Sequence, residues 1–414
     1  MKILLLEPKL VSVARNIALM KWARWCEDKG VEYRYARGCV ELGEFIPDKI
    51  YMSCIFSYYS KTYEKTINYY LKKFPRVEVL VGGVFPTLQP EWFVEKWKGN
   101  IMFPSRVSVY CGMHEDIEPL APKYNVSVID EDNGKEYSER TIKKRENAMK
   151  TIVLYASRGC VNKCGYCAVP RLEGDMKSFK SIKYILDAAR KELPDAKSVT
   201  LYDNNFTEHK YWREICDELI EYGLPVDIHG LHVDSFTQEM ADKFTEMKWG
   251  SQGQKNSTAY LRFSFDKIKY ADNIYRALTY YTNAKLQKKV AFFLYMLFGY
   301  VDKPDDAWKR LVISQRYAEE FGVHISLFPQ RFEPFMALEK YKYVSKKWTP
   351  EHLAGLRRMS TFLHGFLPCS PSRNLFRWIG YTKEEFLDTL YKFGSIKGYR
   401  MEKREGGEVP ELKL

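Results

Sequence analysis

The chain of 414 residues is 45% hydrophobic, which is enough apolar material for two or three separate cores. Its 65 Lys and Arg exceed its 53 Asp and Glu by 12, so polyanions are among the partners to expect. No stretch reaches the roughly 20 apolar residues of a membrane span, nothing at the start resembles a signal peptide, and the nine cysteines are scattered. A reducing cytoplasm is therefore expected, without a membrane partner or a disulfide framework.

The first part of the chain alternates short apolar runs with helical patterns. Strands are predicted at residues 3–6, 31–35, 49–54 and 77–81, and helices at 14–29 and 63–74. Short buried strands separated by helices predict a parallel sheet covered on both faces, an α/β, Rossmann-like domain over residues 1–125. Gly82 and Gly83 follow the fourth strand at its carboxyl end, where open α/β sheets bind ligands; a tight turn is the alternative for this pair.

A second series of strands and helices begins at residue 151. The polar, charge-rich residues 126–150 before it are predicted to be an interdomain connection. Strands are predicted at residues 152–155, 198–202, 227–231, 260–265, 290–298 and 323–328, and helices at 183–191, 210–222, 238–247 and 306–321. This repeat predicts a partial (β/α)6 barrel over residues 151–335, with its chemistry on the loops. Residues 336–414 hold 15 Lys and Arg against 9 Asp and Glu, and are predicted to form a basic helical extension.

Three cysteines stand close together directly after the first strand of this second series. Cys160, Cys164 and Cys167 fall within eight residues, and thiolates are ligands suited to iron–sulfur clusters or to zinc. A tetrahedral zinc site would need a fourth ligand close by, but the next cysteine is Cys216 and the next histidine is His209. Three ligands to a four-iron cluster would leave one iron open to bind the amino and carboxylate groups of S-adenosylmethionine.

The loop resembles the signature of the radical S-adenosylmethionine superfamily. In that signature three cysteines are spaced three and two residues apart, with an aromatic residue before the last one, here Tyr166. The resemblance implies a [4Fe-4S] cluster on Cys160, Cys164 and Cys167 that cleaves S-adenosylmethionine to a carbon radical. It also implies an electron donor such as flavodoxin or ferredoxin. A zinc knuckle or an accidental grouping of cysteines is the alternative.

The resemblance extends to the ends of the later strands. It implies that Asp203, Asn204 and Asn205 receive the amino group of S-adenosylmethionine. Arg262 is expected to pair with its carboxylate, with a surface or interdomain salt bridge as the alternative. The remaining assignments are Ser264 and Asp266 to the ribose, Gly299 to the adenine, and Arg331 and Glu333 to the substrate, for which a structural ion pair is the alternative.

A Rossmann-like domain ahead of such a barrel resembles the cobalamin-binding subclass, over roughly residues 1–335. The loop that contains Gly82 and Gly83 is similar to the phosphate-side loop of that domain. The Asp-x-His-x-x-Gly motif of the subclass, whose histidine ligates cobalt, is absent, and the only histidine before residue 200 is His114. With cobalamin, methyl transfer to an unactivated carbon is expected; without it, a rearrangement, cleavage or coupling of the substrate is expected.

The sequence does not name a substrate. The positive charge leaves an anionic substrate open, including a nucleotide or a nucleic acid. A second class of function is a nucleic-acid-binding module, in which the cysteines hold a structural metal and the basic extension contacts phosphates. An inactive scaffold is a third class, although the three intact cysteines fit it poorly.

Overall fold

Six parallel strands form the first sheet. The computed structural model describes residues 1–10, 16–98, 105–131, 139–250, 259–401, 403–405 and 407–410. The strands of the first sheet are β1 (Lys2–Glu7), β2 (Glu32–Arg37), β3 (Lys49–Ser53), β4 (Glu78–Gly82), β5 (Val107–Val109) and β6 (Val128–Asp130). Their order in the sheet is β5-β4-β3-β1-β2-β6, and every neighbouring pair is parallel.

The order of these strands locates a ligand-binding edge. The chain starts at β1, moves to β2 on one side, and then continues through β3, β4 and β5 on the other side. This reversal between β1 and β3 is a topological switch point, and the crevice outside the carboxyl ends of strands there is where open α/β sheets bind ligands.

Apolar residues on both faces of β1 explain why this sheet is covered on both sides. Ile3 and Leu5 belong to a large core shared with the second half of the chain, and Leu4 and Leu6 belong to a separate core. The alternation follows from the two-residue period of a strand. The helices of this part are α1 (Ile17–Asp28), α2 (Ser60–Lys73), α3 (Val84–Leu88) and α4 (Pro90–Lys96).

The second half of the chain alternates strands and helices. Its first elements are α5 (Glu139–Met149), β7 (Thr151–Leu154), β8 (Ser157–Arg158), α6 (Val169–Leu172), β9 (Lys177–Ser178), α7 (Lys183–Glu192), β10 (Ser198–Leu201), α8 (Trp212–Tyr222) and β11 (Val226–Ile228). They are followed by α9 (Gln238–Phe244), β12 (Tyr260–Ser264), α10 (Ala271–Asn283), β13 (Ala291–Phe298), α11 (Pro304–Glu320) and β14 (Ile325–Arg331). The last are α12 (Pro350–Phe362), β15 (Leu367–Cys369), α13 (Phe376–Ile379) and α14 (Lys383–Ser395).

Six of these strands run parallel, in two groups of three. β7, β10 and β11 form one sheet; β12, β13 and β14 form another, which β15 extends as an antiparallel edge. The predicted α/β class with parallel sheets is confirmed. Between β11 and β12 the described residues form no strand pairing, so the arc of a partial barrel stays a prediction.

Two segments contain structure that the sequence pattern did not reveal. The predicted connection at residues 126–150 holds β6, which pairs with β2, and the helix α5. The predicted helical extension holds β15, which pairs with β14. Across the described ranges, no helix has both the length and the apolar character needed to cross a membrane.

Candidate active site

The cysteine loop begins just beyond the carboxyl end of β7. The short hairpin of β8 and β9 brackets it, and all three cysteines lie between these two strands. The backbone turns into the loop at Gly159. Glycine is required there, because its φ is 76° and a Cβ would lie 2.2 Å from the backbone oxygen of Asp175. Cys160 is buried, whereas Cys164 and Cys167 are partly exposed. The three thiols therefore lie on one tight loop at the end of a strand.

N–H groups donate to the sulfur of Cys160. The backbone N–H of Asn162 lies 3.3 Å from Sγ, and the side-chain amide of Asn205, from the loop after β10, lies 3.8 Å away. Donors to a ligating sulfur stabilise the thiolate and tune an iron–sulfur cluster. Burial raises the pKa of the Cys167 thiol, so ligation of a metal there would release a proton.

Asp203 and His209 fix the backbone immediately before the loop. The carboxylate of Asp203 accepts hydrogen bonds from the N–H of Ala156 and the hydroxyl of Ser157, both at 2.8 Å. The side chain is 3% exposed, and burial raises its pKa to about 6. His209 Nε2 donates to the Ala156 carbonyl at 2.7 Å while Nδ1 accepts from the N–H of Tyr211, a pattern that requires the neutral ring.

Glu173 anchors the other side of the same loop. Its Oε2 accepts from the N–H of Gly159 at 2.7 Å and from the side-chain amide of Asn204 at 2.9 Å. Its Oε1 pairs with Arg158 Nη2 at 3.2 Å. Asp203, Asn204 and Asn205 thus all contact the cysteine loop or its supports, each through a different group.

Tyr166 connects the loop to the ends of two further strands. Its hydroxyl donates to Asp266 Oδ2 at 2.8 Å, and Asp266 Oδ1 accepts from the N–H of Leu297 at 2.8 Å. Its ring packs edge-on against Tyr300, with 5.7 Å between the centroids. Burial, together with the neighbouring Asp266, raises the pKa of the Tyr166 hydroxyl well above its usual range. The hydroxyl therefore remains a donor.

Arg262 is engaged by a carboxylate of the chain itself. Both terminal guanidinium nitrogens bind the buried Asp227 of β11. Although burial acts in the opposite direction, His229 and Arg262 hold the pKa of Asp227 below its usual value. The alternative considered for Arg262 was a surface or interdomain salt bridge; the observed salt bridge is instead buried and joins two strands of the second half of the chain. A cofactor carboxylate at this position would have to share the guanidinium with Asp227, so that role stays a prediction.

The predicted ribose and adenine residues lie at the ends of β12 and β13. Ser264 is half-buried at the end of β12. Gly299 follows β13 and packs under α12, where a Cβ would lie 2.7 Å from Cδ2 of Leu353. Their roles toward a cofactor stay predictions.

Arg331 and Glu333 hold a segment that follows the last parallel strand. Arg331 Nη2 donates to the carbonyls of Tyr341 and Tyr343, at 3.1 and 2.6 Å, and the Glu333 carboxylate accepts from the N–H of Tyr341. Burial lowers the pKa of Arg331 and raises that of Glu333. Their hydrogen-bond partners named here are backbone groups, and Arg331 also lies over the ring of Tyr341. Their assignment to a substrate stays a prediction.

A cavity of about 450 Å³ lies between the first sheet and the cysteine loop. Gly82 and Gly83, at the end of β4, line it from one side, and Asn204, after β10, lines it from the other. Gly83 has a φ of 105°, and a Cβ there would lie 2.7 Å from the carbonyl oxygen of Cys54, so the turn requires glycine. The wall includes Tyr51 of β3, beside the β1–β3 switch point. This volume is typical of a site for one small ligand.

Sequence reasoning missed two residues that join the cavity to the loop. Arg158 and Glu173 both line the cavity, and both hold the cysteine loop through the contacts given above. The available signal was weak: Arg158 stands two residues before Cys160, and Glu173 six residues after Cys167. Neither position has a charge pattern that distinguishes it from a surface residue.

In the described part of the chain, no three His, Cys, Asp or Glu side chains come close enough together to hold a single metal ion. A [4Fe-4S] cluster makes a different demand, because each thiolate binds its own iron. Three thiols on one loop, with N–H donors to Cys160, are a donor set that fits such a cluster.

Comparison with known proteins gave distant structural similarity only. A scan against protein-family models and a search of curated proteins found no match. Solved structures of SuiB from Streptococcus suis do match: the one bound to S-adenosylmethionine is 14% identical over 55% of this chain, with a TM-score of 0.35. The one bound to the precursor peptide SuiA is 15% identical over 57% of this chain, with a TM-score of 0.36.

The matched region spans about half of each SuiB chain, 53% and 54% of their lengths. Similarity of this extent does not assign a family or an activity. Both are therefore argued from the residues of this chain.

Proposed function

We propose that this chain is a radical S-adenosylmethionine enzyme that abstracts hydrogen from its substrate. The observation that supports it best is the cysteine loop at the carboxyl end of β7, surrounded by side chains from three other strand ends. Those side chains are Asn205 after β10, Asp266 after β12 and Tyr300 after β13. Catalytic groups gather at this edge of parallel strands because the loops and their N–H donors converge there.

In the proposal Cys160, Cys164 and Cys167 bind the [4Fe-4S] cluster. When bound and reduced by an electron donor such as flavodoxin or ferredoxin, the cluster would supply one electron to the sulfonium of S-adenosylmethionine, and the cleavage would yield methionine and the 5′-deoxyadenosyl radical. Asn205 donates to the thiolate of Cys160, and Tyr166 keeps the loop tied to Asp266. Asp203 and Glu173 hold the loop backbone in place.

The polar groups predicted to bind S-adenosylmethionine differ in how many of their side-chain atoms are already hydrogen-bonded. Asp203 is buried with both carboxylate oxygens occupied, so it acts on the loop. Asn204 uses its amide nitrogen on Glu173, and its amide oxygen is our candidate for the amino group of the cofactor. Ser264 and Gly299 are proposed for the ribose and the adenine, and Arg331 and Glu333 for holding the segment that covers the substrate.

Cobalamin does not fit the residues present. The chain lacks the Asp-x-His-x-x-Gly motif whose histidine would ligate cobalt in the cavity beside Gly82 and Gly83. The histidine that lines it, His114, is packed between Trp22 and Tyr110, with ring centroids 4.7 and 4.5 Å away. We therefore propose a reaction in which the adenosyl radical acts on the substrate without methyl transfer from cobalamin.

The test is anaerobic reconstitution with iron and sulfide, reduction in the presence of S-adenosylmethionine, and an assay for 5′-deoxyadenosine. We expect product from the natural chain and none from Cys164→Ala. Cys111→Ala is the matched control, because Cys111 is an exposed thiol outside the loop, and it should retain full production. A chain that binds zinc and forms neither cluster nor 5′-deoxyadenosine would refute the proposal and favour a nucleic-acid-binding module.

A further inference from the structure

Rings form part of the wall of the cavity between the first sheet and the cysteine loop. Six ring side chains line it: Trp22, Tyr51, Tyr110, His114, Tyr155 and Tyr202. Four of them form a continuous run, because Trp22 packs against Tyr51 at 4.5 Å and against His114 at 4.7 Å, and His114 stacks on Tyr110 at 4.5 Å. Ring faces of this kind stack on planar ligands and are tolerant of the identity of the ring.

The charges in the wall cancel. Among the described residues that line the cavity, Lys21 and Arg158 are cationic, and Glu118 and Glu173 are anionic. They pair with one another: Lys21 and Arg158 both lie near Glu118, at 3.4 and 3.2 Å, and Arg158 also pairs with Glu173 at 3.2 Å. A charged ligand group buried in this cavity would find no unpaired opposite charge in the wall, which is unfavourable.

Three buried polar atoms of residues that line the cavity have no hydrogen-bond partner. They are Nη1 of Arg158, whose side chain is only 11% exposed, Nδ1 of His114, and Oε1 of Glu118, which is already paired ionically with Lys21 and Arg158. Arg158 Nη1 is a charged N–H donor, and His114 Nδ1 lies 3.8 Å from its nearest carboxylate, on Asp116. Buried polar atoms are normally satisfied, so unsatisfied ones that line a cavity indicate the hydrogen bonds that a ligand would complete.

We propose that this cavity binds an uncharged, planar heterocycle with hydrogen-bond acceptors on its edge, of the nucleobase or nucleoside type. Stacking on the rings would hold its faces, and Arg158 Nη1 would donate to a carbonyl oxygen or ring nitrogen. That this ligand is the substrate rests on the proposed function, whereas the binding itself does not. The neutral wall excludes a ligand whose phosphate must also be buried.

The test is calorimetric titration of the reconstituted chain with three probes, in the presence of saturating S-adenosylhomocysteine to block the cofactor site. The probes are inosine, indole and inosine monophosphate. Inosine carries acceptors on a neutral base, indole is planar without an acceptor, and the monophosphate adds charge. We expect inosine to bind at least about tenfold more tightly than either of the other two.

Three variants locate the binding. Ala18→Trp fills the mouth of the cavity from an exposed position of α1 and should abolish inosine binding. Arg158→Lys keeps the charge but removes the fork of donors, and should weaken inosine about tenfold or more while leaving indole unchanged. Since Arg158 also supports the loop, His114→Phe serves as the second variant: it keeps the packed ring, removes Nδ1, and should weaken inosine alone. Thermal melting checks that each variant is folded.

Several results would overturn the inference. These are no binding of inosine, equal binding of indole or of the monophosphate, or inosine binding that Ala18→Trp leaves intact. If inosine binds only when S-adenosylhomocysteine is absent, inosine occupies the cofactor site, and this result too would refute binding in the cavity. Because this readout is binding, its failure is distinct from a failure to produce 5′-deoxyadenosine, and each can occur without the other.

Discussion

Replacing Asp203 by Asn should change how the stability of the fold depends on pH. The carboxylate is buried and holds Ala156 and Ser157 just before the cysteine loop. An asparagine has nearly the same shape; its oxygen can accept from the Ala156 N–H and its amide can donate to the Ser157 hydroxyl. The substitution therefore removes the charge while keeping the local contacts.

The size of the effect follows from the pKa. Burial raises the pKa of Asp203 from 3.8 to about 6. Between these values the folded chain holds a proton that the unfolded chain has released, so the free energy of unfolding falls as the pH rises. This penalty is absent below about pH 4 and complete above about pH 6, where it reaches about 3 kcal/mol. About 1.4 kcal/mol of it develops between about pH 5 and about pH 7.5.

The assay is urea unfolding of both proteins at these two pH values. The free energy of unfolding of Asp203→Asn, relative to the natural chain, should rise by about 1.4 kcal/mol from the lower pH to the higher. Asp175→Asn is the control, because Asp175 is 89% exposed on the cysteine loop, and it should show no such rise. A difference between Asp203→Asn and the natural chain that is constant with pH, or that falls, would refute the argument.

Three further substitutions test other parts of the site. Arg262→Ala should lower the free energy of unfolding by about 3 kcal/mol, because it takes the guanidinium away from the buried Asp227 carboxylate and leaves that charge beside His229, 3.6 Å away. Adding Asp227→Asn should restore part of that loss in denaturant unfolding. Gly83→Ala should lower the free energy of unfolding by more than about 2 kcal/mol. Gly30 also has a positive φ, but no atom lies within 4 Å of a new Cβ there, so Gly30→Ala should cost only about 1 kcal/mol. Equal losses would contradict the steric argument. Arg331→Lys should speed cleavage of residues 336–347 by subtilisin, because a single amine cannot keep the guanidinium's contacts to two carbonyls, and an unchanged rate would show that this segment is held by other contacts.

The features that the sequence predicted are those with local causes. The run Ile3 to Leu6 is apolar at every position, a pattern typical of a short strand buried on both faces. Gly82 and Gly83 were identified because they directly follow a predicted strand at its carboxyl end, and Cys160, Cys164 and Cys167 because their spacing is local. In each case the information lies within about ten neighbouring residues.

The features that the sequence did not predict depend on partners distant in the chain. Val128–Asp130 is a three-residue edge strand in a polar segment, and it is a strand only because β2 lies beside it. The partner of Arg262 is Asp227, 35 residues away, and no local pattern connects them. Asp203 was recognised as polar and close to the site, but its two hydrogen bonds to residues 156 and 157 required the parallel pairing of β7 with β10.

The cysteine loop and the cavity share the same supporting side chains, and this has a consequence for how they would work together. Glu173 binds the backbone of Gly159 through one oxygen and Arg158 through the other, while Asn204 donates to it from the cavity wall. A ligand that completes the hydrogen bonds of Arg158 would therefore restrict the same carboxylate that holds the entry to the three cysteines. Two sites that order one shared element favour each other's occupancy, and by linkage the effect must be equal in both directions. In the proposed enzyme, a filled cavity would thus stabilise the loop that carries the cluster, which places the radical chemistry under the control of the bound ligand.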